Sequence, residues 1–439
     1  MFNNFKKIVI LCLRLIIFCF GLGIIFNQIS LLINVFKEAN HSFSIHLYSH
    51  KNKDCVVPTW NRVTSKDVPY SEDFKKWAAV RIGAFRHIKD AQVRLLSSFV
   101  YSDQISIVTT SQNIDNKKVT CRYYDCNRDE VPYSSFDTVV VPMTVITCPR
   151  RYGAEFVSVT FDENETPHEP IPLTFRIYDE PIHELSVCVG PLYGKKSKWL
   201  EIVEYVEHYK LVGVSYFYFT LFSINEYDRT VVDYYAKFGY AEYTTYITEY
   251  QELGWMFHLI QTQDCHHRSR HHSKWVINVD IDERIIYTGS NDILYFLRSM
   301  PASIGELSIT ANRILTTGTI PEKLKNFANL QSELTFLKYN KTTEVSWYNF
   351  KGIIRPDLVY VLFYHWSFRQ KPNVHVISIP KQIIHLRHYR SVDQNSLNGN
   401  WMEFYNGSLK ETRLAPDFEQ QLIKNVKEKV KYVYDQRWV

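Results

Sequence analysis

The sequence lacks the glycine-rich phosphate-binding loops of the common nucleotide enzymes. Its 439 residues include only 15 glycines, and these form neither G-x-G-x-x-G nor G-x-x-x-x-G-K-[ST]. A dinucleotide-dependent enzyme and a P-loop NTPase are therefore disfavoured. An excess of one charge is also missing, because 51 Lys and Arg oppose 46 Asp and Glu and no long basic run occurs. Nucleic acid is thus not indicated as a partner.

Long apolar runs are equally scarce, with one exception near the N-terminus. Residues Ile8 to Phe26 form an apolar stretch of nearly bilayer-spanning length that only Arg14 interrupts, and Lys6 and Lys7 precede it. The positive charges predict a cytosolic N-terminus and a translocated body. We expect residues 1–36 to hold a short tail and a single transmembrane anchor. A cleaved signal peptide is the alternative.

Cysteines and glycosylation motifs favour the same topology. Six cysteines follow the apolar stretch, and an oxidising compartment would allow disulfides, with bridging plausible in the β-like region of Cys121, Cys126 and Cys148. A zinc site is the weaker alternative there, because Cys121-x₄-Cys126 has no matching second pair. Asn-x-Ser/Thr motifs occur at four positions, Asn40, Asn164, Asn340 and Asn406.

The body divides into two regions with different periodicity. Residues 37–180 read as a polar stem followed by a β-rich accessory domain, because short β-like runs recur between turn signals. From residue 181 to 439, strands and helices alternate, which predicts an α/β domain with a mostly parallel, helix-flanked sheet. The strands are predicted at Leu185–Val189, Val214–Leu221, Ala241–Ile247 and Trp275–Val279, and the helices at Trp199–Leu211, Glu226–Phe238 and Trp255–Cys265.

Three carboxylates within four residues follow the last of these strands. Alternation along an extended chain would send Asp280 and Asp282 to the same side. Two like charges held so close favour a neutralising cation, and oxygen ligands suit Mg²⁺ or Mn²⁺, which can also hold a diphosphate. Ligands of doubly wound sheets bind at the carboxyl ends of strands, where this pair lies. A solvated corner is the alternative for an isolated D-x-D.

Ordered blocks between about Leu185 and Arg390 resemble glycosyltransferase family 92. The blocks are Trp199-Leu200-Glu201 with Glu204 and His208-Tyr209, Gly213 to Tyr218, Asp264-Cys265, Trp275 to Glu283, Lys351 to Pro356 with His365, and His388-Tyr389-Arg390. Arg284 departs from the pattern, since the family tends to have an aromatic residue there. That difference bears on the local pocket more than on metal binding.

The resemblance implies a fold, a reaction and a location. The fold would be of the GT-A type that binds nucleotide sugars, and the enzyme would invert the anomeric centre. Characterised members transfer galactose from UDP-galactose to glycans, including fucose on N-glycan cores. A single-pass type II protein of the Golgi membrane with a luminal catalytic domain is the expected setting. A non-catalytic glycan-binding or scaffolding relative that keeps the fold is the alternative.

Further residues are predicted from this setting. We expect Asp282 to bind the divalent ion, preferably Mn²⁺, and Asp280 to contact the ion's waters or the ribose of the donor. His388 is predicted as a third ligand, with His365 as the alternative, and Arg390 would face the diphosphate. An inverting enzyme also needs a general base. The candidates are four downstream carboxylates, first Glu306 and Glu333 and then Glu344 and Asp357, and the sequence leaves the choice among them open.

The run His266-His267-Arg268-Ser269-Arg270-His271-His272 also invites a metal interpretation. No carboxylate or cysteine completes a ligand set with it, so a solvated cationic loop is expected. Asp264-Cys265 is expected to pack a helix on the sheet, with the cysteine as a free, buried thiol. The charged tail from Lys410 to Lys431 predicts an exposed helix.

Overall fold

The computed structural model describes residues 94–102, 104–109, 117–140, 144–162, 165–167, 169–222, 224–246, 255–344, 347–391, 401–405 and 407–435. The predicted anchor and stem lie outside these residues, as do Asn40, Asn164 and Asn406. Within the described part of the chain, no helix is both long and apolar enough to cross a membrane.

The first described region is a β-sandwich. One four-stranded sheet has the order β5-β2-β1-β8 and the other β4-β3-β6-β7. Apolar residues of both sheets, including Ile105, Ile107, Val157 and Val159, form one buried core, and the Cys121–Cys148 disulfide links β3 to β5 across it. The strands are β1 Leu95–Val100, β2 Gln104–Thr109, β3 Lys118–Tyr124, β4 Phe136–Val139, β5 Val145–Pro149, β6 Phe156–Thr160, β7 Ile171–Pro172 and β8 Thr174–Phe175.

The next region is α/β, as the alternating pattern predicts. Four parallel strands lie in the order β11-β10-β9-β12, and helices connect them. Their inward side chains are apolar and fully buried, for example Val187, Phe217, Phe219 and Ile277. The elements are β9 His183–Val189, α1 Trp199–Val212, β10 Tyr216–Leu221, α2 Glu226–Lys237, β11 Ala241–Thr245, α3 Trp255–Ser269 and β12 Ser273–Val279.

Beyond β12 the same sheet continues with mixed directions, so the prediction of a mostly parallel sheet is correct only for its first half. The elements are β13 Glu283–Tyr287, α4 Ile293–Arg298, β14 Ile304–Thr316, α5 Leu330–Glu333, α6 Thr335–Lys338, β15 Lys341–Thr343, β16 Trp347–Ile354, a 3₁₀ turn Pro356–Leu358, β17 Val359–Phe363, β18 Trp366–Gln370, β19 His375–Ser378, β20 Ile384–Ser391, a 3₁₀ turn Trp401–Phe404, β21 Leu409–Glu411 and α7 Pro416–Tyr434. Strands β17 and β18 form a separate hairpin.

The long strand β14 organises this second half and makes the sheet curl. It pairs with β16 on one side and with β20 on the other, while β16 also pairs with β12 and β20 also pairs with β13. Because β12 runs into β13 through residues 280–282, the five strands form a ring that closes at this turn. The predicted acidic residues therefore lie where the ring closes.

The C-terminal helix is amphipathic rather than exposed throughout. Helix α7 buries Leu422, Val426 and Val430 in the main core, and its charged residues face outward. The prediction of an exposed helix is therefore correct for one face only. Burial of three aliphatic side chains contributes roughly 1.5–3 kcal/mol each, which fastens the tail to the domain.

Helix α3 links the sandwich to the α/β region. Ser97 on β1 donates to Asp264 Oδ1 at 2.7 Å, Tyr101 donates to the carbonyl of His267 at 2.7 Å, and Arg176 pairs with Glu242 on β11 at 2.6 Å. The predicted solvated cationic loop is therefore wrong. The helix runs on to Ser269, and the side chains from His266 to Arg270 are buried, with His267 and Arg270 against Tyr101 of the sandwich, which sequence proximity alone cannot reveal.

The burial of this run changes its charge as well as its exposure. Burial lowers the pKa of His266 to about 3, so the ring is neutral, and one ring nitrogen lies 3.0 Å from the carbonyl oxygen of Val359. The predicted free thiol is also wrong, because Cys265 forms a disulfide with Cys188 of β9. Helix α3 is therefore covalently fixed to the strand beside β12.

Candidate active site

Residues 280–282 form a tight turn, not the extended segment that alternation predicts. The side chain of Glu283 accepts a hydrogen bond from the Asp280 backbone N–H at 2.8 Å, and Arg284 donates to the Ile281 carbonyl at 2.5 Å. The N–H of Tyr389 on β20 donates to the Asp282 carbonyl at 2.8 Å. Arg284 is buried against the ring of Tyr205, so the residue that departs from the resembling family holds this turn in place.

The first cluster of ionisable groups contains Asp282, Glu283 and His388. His388 Nε2 lies 3.3 Å from Asp282 Oδ2, and His388 Nδ1 lies 3.5 Å from Glu283 Oε1. The contact follows from the register, since Glu283 on β13 is directly opposite His388 on β20. We define these three residues as the His388 cluster. The structure thus brings together two residues predicted as metal ligands, Asp282 and His388.

Electrostatics separate the two carboxylates of the His388 cluster. Burial alone would raise the pKa of Asp282, but the adjacent His388 ring outweighs it and the pKa is lowered. Burial instead raises the pKa of Glu283, which is fully enclosed. Asp282 is therefore the member of the cluster that stays ionised most readily, as a direct metal ligand must.

A second cluster surrounds Asp280. Its Oδ1 lies 3.3 Å from His258 Nε2, and its Oδ2 lies 3.4 Å from His365 Nε2. We define these three residues as the His258 cluster. Burial would raise the pKa of Asp280, but the Lys351 ammonium and the two histidines outweigh it and hold the pKa well below its usual range. Asp280 is therefore a carboxylate that stays ionised although it is largely enclosed.

Lys351 connects the two clusters. Its buried ammonium lies 3.1 Å from Asp280 Oδ2 and 2.9 Å from Glu283 Oε1. The position follows from the sheet, since β16 carries Lys351 beside the end of β12. A buried cation between two carboxylates offsets part of the repulsion in this acidic turn.

Gly190 permits the close approach of β9 to the turn. A Cβ atom at this position would lie 2.2 Å from Asp280 Oδ1 and 3.1 Å from the Asp280 Cα. The Gly190 N–H donates to the Val279 carbonyl at 3.0 Å, so the two strand ends are joined there. Any side chain at position 190 would displace the aspartate.

Two arginines adjoin the His388 cluster. Arg313 on β14 is directly opposite His388 on the neighbouring strand β20, and Arg390 follows His388 by two residues on the same strand. Burial and the charge of Arg390 lower the pKa of Arg313 to about 10, and Arg390 in turn helps to lower the pKa of Asp282. Two cations this close to each other suit a multiply charged anion.

The two predicted general bases lie in different settings. Glu306 on β14 is buried and accepts hydrogen bonds from the Ser367 N–H at 2.6 Å and from the Ser367 hydroxyl, and burial raises its pKa to about 7. Its contacts hold β18 directly after His365. Glu333 lies on the short helix α5 and pairs with Lys338 at 3.3 Å. Among the described residues no ion pair joins either carboxylate to the two clusters.

Three residues of the site are not predicted from the sequence. His258 lies near the start of α3, Lys351 in the resembling block on β16, and Arg313 in the interior of β14. Each is a common residue type in a regular element, so no local pattern distinguishes it. The available signal was positional, because Lys351 begins a block, Lys351 to Pro356, that resembles the family.

The side chains present fit a divalent cation. Each cluster supplies a carboxylate and at least one imidazole, and its three ligand atoms lie within 4.8 Å of one another. Carboxylate oxygen and imidazole nitrogen together suit manganese and zinc better than calcium. The Nε2 of His258 is buried without a hydrogen-bond partner among the described residues, although Asp280 adjoins it. Such atoms are what a bound cation would complete.

Two solved structures resemble the chain at low sequence identity. A mannosyltransferase from Pyrobaculum calidifontis, solved in complex with GDP-Man and Mn²⁺, is 8% identical with a TM-score of 0.28, over 58% of this chain and 75% of that one. A β-glucuronidase from Lactobacillus rhamnosus is 16% identical with a TM-score of 0.17, over 41% of this chain and 36% of that one. These similarities are too weak to carry a functional inference. No curated protein matches the chain.

The family match is far more extensive than these structural similarities. The sequence model described as "Glycosyltransferase family 92" matches residues 183–430, which is more than half of the chain. The matched segment begins at β9, ends within α7 and includes both clusters, Lys351 and the two arginines. The chain therefore belongs to glycosyltransferase family 92 and is a glycosyltransferase.

Proposed function

We propose that the protein is a metal-dependent inverting hexosyltransferase of the GT-A type that uses a nucleotide-sugar donor. The observation that carries the proposal is the His388 cluster with Arg313 and Arg390 beside it. Carboxylate and imidazole side chains next to two cations would suit a divalent ion together with a diphosphate. When bound, the ion would offset the charge that develops on the departing diphosphate.

The chain's own residues would divide the remaining work. Asp282 and His388 would hold the ion, and Glu283 would stabilise the turn and support His388. Arg390, with Arg313 behind it, would orient the diphosphate oxygens through charge-assisted hydrogen bonds. Asp280 lies in the same turn, but its carboxylate faces His258, His365 and Lys351, so the predicted contact with the donor's ribose or the ion's waters stays a prediction.

The finer assignments rest on the family resemblance. We propose galactose from UDP-galactose as the transferred sugar, Mn²⁺ as the ion, and a glycan such as fucose on N-glycans as the acceptor. The expected setting is a single-pass type II protein of the Golgi membrane, anchored within residues 1–36, with residues 37–180 as stem and accessory domain and residues 181–439 as catalytic domain. The Cys121–Cys148 and Cys188–Cys265 disulfides support an oxidising compartment.

We propose either Glu306 or Glu333 as the general base. A pKa of about 7 is suitable for proton abstraction near neutral pH, which favours Glu306. Its enclosed position between β14 and β18 and its bonds from Ser367 favour a role in holding the hairpin instead. The pH profile of Glu306→Gln separates the two roles, because loss of a base removes the acidic limb of kcat/KM and loss of a support lowers the thermal stability.

The central test is the variant Asp282→Asn. It keeps the shape of the side chain but removes the charge of a direct ligand, so we expect transfer to fall at least about 100-fold with the fold intact. The measurement is release of nucleoside diphosphate from a panel of nucleotide sugars, with and without Mn²⁺, beside circular dichroism of each variant. Asp292→Asn is the matched control, because Asp292 caps α4 away from both clusters.

Two outcomes of this test would reject the proposal. One is undiminished transfer by Asp282→Asn, and the other is full parental activity in the presence of a strong chelator. A parent protein that binds glycans but turns over no nucleotide sugar would instead identify a non-catalytic family member.

A further inference from the structure

We infer that the His258 cluster is a second, separate metal site of the zinc class. Its ligands come from three elements: His258 from α3, Asp280 from the end of β12, and His365 from the turn between β17 and β18. The inference concerns metal binding by these three residues and does not depend on which sugar the enzyme transfers.

The distances match a metal coordination shell. In a tetrahedral site with bonds of about 2.0–2.1 Å, neighbouring ligand atoms lie about 3.3 Å apart. The observed distances are 3.3 Å from Asp280 Oδ1 to His258 Nε2 and 3.4 Å from the other oxygen, Oδ2, to His365 Nε2, and one ligand atom of each residue lies within 4.8 Å of the others. The two imidazole rings approach edge to face with centroids 4.6 Å apart. Two imidazoles and one carboxylate leave a fourth position open, as in zinc sites that bind water or substrate.

One ligand atom of the cluster lacks a partner. The Nε2 of His258 is buried and makes no hydrogen bond within the described part of the chain, although it points towards Asp280 Oδ1. A buried imidazole nitrogen in that position loses its hydration and gains only a long contact. A cation between the two atoms would satisfy both.

The hairpin that carries His365 is fixed to the elements that carry the other two ligands. Thr262 on α3 and Asn278 on β12 both donate to the Tyr364 carbonyl, at 3.0 Å and 2.6 Å. Tyr364 itself has a left-handed backbone (φ 53°), so the chain turns sharply just before the ligand. The site therefore exists before any ion binds, and little ordering is required on binding.

Helix α3 is anchored just as firmly. The Cys188–Cys265 disulfide joins it to β9, and Gln261 donates to the Val189 carbonyl at 2.9 Å. Both attachments lie within eight residues of His258 along the chain. They hold the helix against the strand end next to Asp280.

Lys351 separates this site from the His388 cluster. Its ammonium donates to Asp280 Oδ2 and orients the carboxylate in the way that outer-shell partners orient metal ligands. It also faces Glu283 Oε1, so a positive charge stands between the two clusters. Two ions on either side of Lys351 would each have a ligand set of their own.

The experiment uses the protein purified without a histidine tag, stripped with chelator and dialysed against Zn²⁺ or Co²⁺. Bound metal is counted by mass spectrometry, and bound Co²⁺ is followed by visible absorption. We expect the intense d–d bands of a tetrahedral cobalt site in the parent protein. Both His258→Gln and His365→Gln should remove these bands and weaken Zn²⁺ binding at least about 100-fold, since loss of an outer-shell partner alone costs 10–100-fold. Glutamine fills similar space, and circular dichroism checks the fold.

Two controls make the outcome decisive. His375→Gln alters an exposed histidine on β19 and should leave the cobalt spectrum unchanged. Asp282→Asn should also retain it, because the His258 cluster has its own ligands. Cobalt bands that survive in both His258→Gln and His365→Gln, or that vanish in Asp282→Asn, would overturn the separate site. If the cobalt bands vanish only in Asp282→Asn, the separate site is rejected but the proposed transferase function is not. If one of the two histidine variants fails to fold, the same Co²⁺ measurement on the other variant decides whether the separate site exists.

Discussion

Gly190→Ala tests whether the approach of β9 to the acidic turn matters for activity. The added methyl group would lie 2.2 Å from Asp280 Oδ1, while ordinary contact begins at 3.4 Å, so the oxygen must retreat by about 1.2 Å. The backbone offers no easy relief, because the Asp280 Cα would be only 3.1 Å away. Rotation of the carboxylate would break its contacts with Lys351 and both histidines.

A displacement of about 1 Å at a reacting site costs roughly 100-fold in rate. We therefore expect kcat/KM of Gly190→Ala to fall about 100-fold, which corresponds to about 2.7 kcal/mol of transition-state stabilisation. Donor turnover as a function of metal concentration measures the effect, and thermal unfolding shows how much of the substitution's strain appears as lost stability. Overpacking of this kind typically costs about 1–3 kcal/mol.

Gly194→Ala is the matched control. It lies four residues further along the same segment, and a Cβ there meets nothing within 4 Å, but its φ of +89° strains an alanine. It should lose about 1 kcal/mol of stability and keep its activity. Parental kcat/KM in Gly190→Ala, or equal losses of activity in both variants, would refute the argument from close approach.

Two further predictions concern stability. Burial raises the pKa of Glu204 to about 8 from its usual 4.5, so the folded protein retains a proton that the unfolded chain releases between these values. The free energy of unfolding should therefore fall as pH rises from 4.5 to 8, and Glu204→Gln should flatten this decline in urea melts at a series of pH values. An unchanged slope would contradict the prediction. Arg176→Ala should lower stability by about 1–3 kcal/mol, because it removes the 2.6 Å ion pair with Glu242 and the hydrogen bond to the Arg268 carbonyl, and leaves Glu242 only a 3.9 Å contact with Arg268. Arg128→Ala, which breaks an exposed pair, should cost about 0.5 kcal/mol or less, and equal losses would contradict a special role for the junction.

The local elements of the α/β region could be predicted because their patterns are local. The strand before Asp280 is a short β-branched run, and α1 has a buried stripe ended by Gly213, which has the left-handed backbone (φ 109°) typical of a helix C-terminus. Such signals lie within a few residues of the element that they specify. For this reason the predicted bounds of α1 and β12 differ from the observed ones by at most two residues.

The site was predictable only in part because most of its contacts join distant segments. Asp282 and His388 stand 106 residues apart in the sequence, and the family resemblance supplied that pairing. His258 reaches Asp280 through the packing of α3, and Lys351 reaches it through antiparallel pairing of β16 with β12. The turn at Asp280 itself depends on the side chains of Glu283 and Arg284, which a rule of alternation along a strand does not consider.

Strand β14 contributes no residue to either cluster, yet it determines how Lys351 and His388 are placed relative to each other. Its Ile309 is level with Lys351 on β16, and its Arg313 is level with His388 on β20. A strand advances about 3.3 Å per residue, so the four residues after Ile309 set a spacing of about 13 Å along β14 between the backbone positions of Lys351 and His388. Inserting or deleting one residue between Ile309 and Arg313 would shift that spacing and turn the following side chains to the opposite face. A change of length in this stretch should therefore disturb the site, even though residues 310–312 belong to neither cluster.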